Sequence, residues 1–125
     1  MQLPKIYKDA DLNLIKNKSI GIIGYGNQGR AQALNLLDSG MNVSIGLRNE
    51  SSSWKMAVDS GLHCTPVNEI VKDCDIISLL IPDQVMKEVY SENIEPHLTE
   101  GKTLLFSHGY NIHYNLIQPP KFINV

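Results

Sequence analysis

The sequence predicts an α/β fold of the doubly wound kind, a mostly parallel sheet with helices on both faces. Three observations predict it: short apolar runs alternate with segments of helical spacing, Gly, Pro, Asp or Ser punctuates each change, and a glycine-rich stretch joins the first apolar run to the first helix. With 125 residues, 42% apolar and 19% charged, the chain is the size of one domain, read as a single unit over residues 1–125. Folding at this length buries roughly two thirds of the surface exposed by the unfolded chain, enough for a core without metal or disulfide staples.

The elements follow in order. Residues 19–24 (SIGIIG) form a mostly apolar run, as expected of a parallel strand covered on both faces. Residues 28–39 make a helix, with Ala33, Leu36 and Leu37 on one face and Gly40 as a left-handed stop. A second strand spans 42–47, a polar loop 48–53, a short helix 54–60 closed by Gly61, a short strand 62–65 and a further helix 66–74. Residues 75–81 (DIISLLI) are the most apolar strand, placed mid-sheet and stopped by Pro82 and Asp83. Helical spacing returns at Val85, Met86, Val89 and Tyr90, residues 102–107 make a fifth strand, and residues 122–125 read as a sixth just beginning. A chain ending there reads as cut, with an unfinished strand that could pair with a second copy and give a homo-oligomer.

Eleven basic residues against thirteen acidic give a net charge of −2 without a long block of either sign, which argues against electrostatic capture of nucleic acid. The first eight residues lack an apolar signal core, and the longest apolar stretch is too short to span a bilayer, so no membrane association and a cytoplasmic location are expected. Cys64 and Cys74 have no metal-ligand spacing and read as reduced core residues.

Gly24-Tyr25-Gly26-Asn27-Gln28-Gly29 matches G-x-G-x-x-G directly after a strand and before an amphipathic helix. In that position the first glycine allows the tight turn, the second lets the backbone approach a pyrophosphate, and the third lets helix pack closely on strand. Free amides at the helix start then bind the anion, so the fold reads as Rossmann-like.

The second strand ends Gly46-Leu47-Arg48, with no carboxylate where an NAD-binding domain usually carries one for the ribose hydroxyls. A 2′-phosphate would be held by Arg48, Ser51 and Ser53 through charge-assisted bonds of about 1.5–3 kcal/mol each, favouring NADP. Glu50 opposes this if it points inward, and the bland alternative is a solvated serine-rich loop with Arg48 in a surface ion pair.

Four motifs stand in order: IGIIGYGNQGRAQALNLLDSGMNVSIGLR, SSSW, LLIPDQ and SHGYNIHY. In these the chain, from about Ile6 to its last residue, closely resembles the N-terminal domain of ketol-acid reductoisomerase. The resemblance implies an NADPH- and magnesium-dependent conversion of acetohydroxy acids to dihydroxy acids, by an alkyl shift and a hydride reduction, in branched-chain amino-acid synthesis. It also implies that Tyr25, Gly26, Asn27 and Gln28 cradle the cofactor phosphates and that Arg48, Ser51 and Ser53 hold the 2′-phosphate. Asp83, Gln84, Val85 and Met86 are implied to touch the cofactor, although Asp83 could equally cap the helix that follows. His108 matches the family's active-site histidine, a group able to hydrogen-bond or relay a proton.

The sequence departs from the family pattern at Glu50, where glycine is common, and at Ser52, where a basic residue is frequent. The family's magnesium ligands lie in a later helical domain, and the scattered carboxylates here read as solvated, so no metal site is expected. The chain is therefore expected to bind NADP(H) and to lack turnover alone, meeting acetohydroxy-acid substrate only together with the missing domain. The competing expectations are a stand-alone NADP-binding sensor or partner module, and a different reductase of the same fold.

Overall fold

The computed structural model describes residues 3–125. Five strands, β1 (Ser19–Ile23), β2 (Asn42–Leu47), β3 (His63–Pro66), β4 (Ile76–Leu79) and β5 (Thr103–Phe106), form one parallel sheet in the order β3-β2-β1-β4-β5. Five helices connect and extend them: α1 (Asn27–Asp38), α2 (Ser53–Asp59), α3 (Val67–Asp73), α4 (Asp83–Val89) and α5 (Tyr110–His113). This is the doubly wound order, in which the chain leaves β1 towards β2 and β3 and returns to β4 on its other side.

Both faces of the sheet are covered, as the unbroken apolar strands require. On one face Ile22, Val43, Ile45 and Leu47 pack with Ala33 of α1 and Ala57 of α2. On the other, Ile23, Ile77, Leu79 and Leu104 pack with Ile70 and Val71 of α3 and with Met86, Tyr90 and Ile94. Glycine decides how closely α3 lies: a Cβ at Gly21 would come within 2.3 Å of the Ile70 side chain, and one at Gly46 within 3.0 Å of it.

The first five expected strands and the expected helices are present, β2 with the bounds expected and the others shifted by a residue or more. The 75–81 segment pairs only over Ile76–Leu79 and lies between β1 and β5, so β1 is the central strand. α4 runs on through a π-helical turn, Tyr90–Ile94, before a short turn at Glu95–His97. The expected sixth strand is a single parallel bridge of Asn124 to Thr103, fixed by Leu104 N–H to Asn124 O and Asn124 N–H to Lys102 O, each at 2.9 Å. α5, which spacing alone did not reveal, follows the fifth strand. Both cysteines are free, Cys74 is buried and Cys64 half-buried, and burial pushes both thiols above their ordinary pKa. No helix among the described residues is long and apolar enough to cross a membrane.

Candidate functional site

Register brings the carboxyl ends of three strands level, since Ile23 pairs with Gly46 of β2 on one side and with Leu79 of β4 on the other. The main chain reverses just beyond them. Gly24 has φ +102°, its N–H donates to Gly46 O at 3.1 Å, and a Cβ there would stand 2.5 Å from the Leu80 carbonyl oxygen. Gly29, one turn into α1, would place a Cβ 2.6 Å from the Gly24 oxygen. Gly26 differs from both, because nothing lies within 4 Å of the Cβ it lacks. The first and third glycines thus close the turn on itself, while the second leaves bare backbone facing open space.

α1 begins at that bare backbone. Gly26 is its N-cap and offers no side chain to the first amides, and the first turn carries no acidic residue. Arg30 N–H bonds back to Gly26 O at 2.9 Å, leaving the amides of Asn27, Gln28 and Gly29 without helical partners. An anion is the group that such a terminus accepts, from both the free donors and the positive end of the helix dipole.

A cleft of about 720 Å³ continues from this turn across the strand ends. Gly24, Tyr25 and Gly26 form one end and Arg48, Asn49, Ser51 and Ser53 another. The β2–α2 loop is folded by Ser51 N–H to Arg48 O at 3.0 Å, and Ser53 N–H donates to the Ser51 hydroxyl oxygen at 3.3 Å. Arg48 is exposed and makes no ion pair with any described residue, so the alternative of a surface ion pair is not the one adopted. Glu50 does not line this cleft; it borders a separate hollow together with Arg48 and Asn49.

The remaining wall comes, apart from Val85, from residues that no motif announced. Pro66, Val67 and Asn68 close the β3–α3 side, and Val85, Glu88, Val89, Glu92 and Asn93 the α4 side. α4 is two-sided: Val85 and Val89, four apart, face the cleft, while Met86 and Tyr90, also four apart, are buried among the core residues beneath. Met86 therefore lies under the cleft wall. Tyr90's hydroxyl is buried without a partner and burial pushes its pKa up to about 12, so it stays neutral. Tyr25 likewise packs in the core with Ala33 of α1 and Ala57 of α2, its hydroxyl buried without a partner, and it also lines the cleft.

At the far side of β4 and β5 stand Asp83, half-buried at the start of α4, and His108, whose imidazole is 75% exposed. His108 Nδ1 lies 3.9 Å from Asp83 Oδ2 and accepts the Tyr110 N–H at 3.3 Å. A neutral ring accepting at Nδ1 carries its proton on Nε2. Asp83 accepts no capping bond from α4 through its side chain. Gln84 is exposed beside it, outside the cleft lining, as are Asn27 and Gln28.

The site fits a nicotinamide dinucleotide on its own geometry: the bare Gly26 backbone before a free helix terminus suits a pyrophosphate, and an unpaired guanidinium with two hydroxyls suits a further phosphate. It does not fit a metal ion, for no group of three or more His, Cys, Asp or Glu side chains among the described residues is placed to hold one.

Comparison with known proteins agrees with the nucleotide reading. The acetohydroxy acid isomeroreductase NADPH-binding domain family matches residues 14–125. The chain is 52% identical over 118 residues to a ketol-acid reductoisomerase (NADP(+)) of Methanocaldococcus jannaschii, covering 94% of this chain and 36% of the relative. It is 51% identical over 123 residues to that of Methanococcus maripaludis, covering 97% and 37%. A solved structure of an NADH-preferring ketol-acid reductoisomerase from an uncultured archean superposes with TM-score 0.89 at 39% identity, covering 93% of this chain and 37% of that one. The chain spans little more than a third of the length of these relatives.

Proposed function

This chain belongs to the ketol-acid reductoisomerase family, as its NADPH-binding domain, and from that premise we propose how its cleft is used. The turn from Gly24 to Gly29 holds the cofactor pyrophosphate through its free main-chain amides, with Gly24, its own N–H committed to Gly46 O, shaping the turn, Gly26 giving the close approach and Tyr25, Asn27 and Gln28 contributing through the backbone. Arg48, Ser51 and Ser53 hold the 2′-phosphate. Val85 forms the apolar wall, Met86 supports it from below, and Asp83 and Gln84 border the reacting end. NADPH, when bound, supplies a hydride there.

His108 is the group that meets the reacting atoms. With Nδ1 engaged by Tyr110 N–H, Nε2 is the nitrogen that donates or relays a proton, and Asp83, 3.9 Å from Nδ1, stabilises the charged ring when it forms. Residues 1–125 act as one cofactor-binding domain, in the cytoplasm. The acetohydroxy-acid substrate, the magnesium and the alkyl shift belong to the family's full-length activity; no step through a metal is assigned to these residues. The isolated chain is expected to form no dihydroxy acid from acetolactate and magnesium.

The observation that carries this reading is the unpaired Arg48 in the same cleft as the open Gly26 backbone. Titrating the chain with NADPH and NADH tests it. One or two charge-assisted bonds to the 2′-phosphate predict tighter NADPH binding, and Arg48→Ala should weaken NADPH roughly 10- to 150-fold while sparing NADH. Because the Arg48 side chain is exposed and makes no ion pair among the described residues, stability should stay within about 0.5 kcal/mol. Equal affinities for the two nucleotides, or an equal loss for both in the variant, would overturn the 2′-phosphate assignment.

A further inference from the structure

Asn111 is fully buried, with 0% exposure, in a four-residue helix whose other members are exposed or half-buried. Its Nδ2 donates to the Asp83 carbonyl oxygen at 3.3 Å and lies 3.4 Å from Met86 Sδ. Its main-chain oxygen accepts from Leu116 N–H at 2.9 Å and Ile117 N–H at 3.0 Å, gathering the segment after α5. Its Oδ1 is buried without a partner. Exchanging the two amide atoms gives no relief, since Oδ1 would then face the Asp83 carbonyl, acceptor against acceptor. An apolar residue of the same size would avoid the cost of that orphaned oxygen, so packing alone does not account for an amide here.

The position of the contact supplies an account. Asn111 grips the first turn of α4 from behind, while the front of the same helix lines the cleft through Val85 and Val89. Three residues earlier in the chain, His108 reaches the carboxylate of the same Asp83. The 107–113 segment is thereby tied to Asp83 by amide to carbonyl, and the same tie sets the His108 imidazole 3.9 Å from the Asp83 carboxylate.

We propose that Asn111 is a positioning residue for His108: its amide holds the β5–α5 loop to the helix that walls the cleft, so that an occupant of the cleft is felt at the imidazole. Only the identity of the occupant, NADP, rests on the function proposed above.

Amide hydrogen exchange on the 1–125 chain tests this, with and without NADP. Asn111→Leu keeps the volume and removes the donor. It should speed exchange at residues 108–113 about tenfold, the loss of one hydrogen bond of ordinary strength, with circular dichroism unchanged. NADP should slow exchange at both 24–29 and 108–113 in the unaltered chain, but only at 24–29 in the variant. Met86→Leu, which removes the sulfur but keeps the carbonyl bond, should leave exchange at 108–113 without nucleotide as in the unaltered chain. Unchanged exchange in Asn111→Leu, an NADP response that still reaches 108–113, or an equal loosening in Met86→Leu would each overturn the proposal. Should Asn111→Leu unfold the chain, Asn111→Asp takes its place with the same expectation. Protection as in the unaltered chain, or a second unfolding, would then make Asn111 a core residue only and overturn the proposal. If NADP slows nothing at 24–29 in the unaltered chain, the cofactor reading fails, while the comparison without nucleotide still judges Asn111.

Discussion

At the amino end of the sheet, polar groups that leave water meet protein partners; at the carboxyl end, among the described residues, helix-start amides and a guanidinium are left without them. Where β1 and β4 begin, Ser19 N–H and the Ser19 hydroxyl each stand 3.0 Å from Asp75 Oδ2, and Asp75 N–H donates to Ser19 O at 2.9 Å. Beside them Lys102, buried to 9% exposure, donates to Cys74 O at 2.7 Å and to Lys72 O at 3.2 Å, closing the end of α3. Where the same strands finish, α1 opens without a side-chain cap and Arg48 without an ion pair among the described residues. One end spends its polar groups on the fold, the other keeps them for a ligand, and substitutions should divide accordingly between lost stability and lost binding.

The sharpest challenge to that division comes from Gly24, a carboxyl-end residue whose replacement should cost stability. Gly24→Ala forces a left-handed residue, at φ +102°, to carry a Cβ 2.5 Å from the Leu80 oxygen. Conformational strain and overpacking together predict a loss of roughly 2–5 kcal/mol, read as a lower urea midpoint. Gly26→Ala, two residues on, adds its methyl to open space. It should keep stability within about 0.5 kcal/mol and lower NADPH affinity instead. If both variants lose stability alike, the turn is a structural feature throughout and the contrast within it is lost.

How much of this was legible follows from where each signal resides. The glycine turn could be read because steric demands on a backbone dictate residue type: Gly24 and Gly29 are where a Cβ would collide, and Gly26 is where a ligand approaches. Arg48 and its serines could be read because a strand end without a carboxylate is itself a chemical statement. Glu88, Glu92, Asn93 and Pro66 to Asn68 could not, since they reach the cleft only through the way α4, its π-helical turn and α3 pack on the sheet. The apolar spacing at 85–90 pointed to a helix but merged two stripes, and only tertiary packing assigns Val85 to the cleft and Met86 to the core. The Ser19–Asp75–Lys102 network lies in residues far apart in sequence, and no local pattern marks them.

The amino end supplies the converse test. Lys102→Met keeps the buried stem of the side chain but leaves the Cys74 and Lys72 carbonyl oxygens without their donor. The expected cost is about 1–3 kcal/mol in urea unfolding, the range for buried acceptors left unsatisfied, with NADPH affinity unchanged because the site lies at the other end of the strands. A loss of affinity in this variant would mean that the two ends are coupled and the division fails.

The smallest effect concerns the pH dependence of that network. The Ser19 main-chain and hydroxyl donors hold the Asp75 carboxyl below its ordinary pKa of 3.8. A carboxyl depressed in the folded state binds fewer protons there than in the unfolded chain, so it contributes stability above the unfolded pKa and loses it as the pH falls through the folded one. Asp75→Asn has no such proton to gain. Between pH 7 and about pH 4 the unaltered chain should therefore be the more stable by a steady margin, small because the side chain is only half-buried. That margin should shrink as the pH drops below 3.8, which urea midpoints of the two chains from pH 6 to pH 2 would follow. A margin that holds constant or widens on acidification would show that the Ser19 donors do not favour the ionised carboxylate, and the amino end would lose its claim to be held by satisfied charge.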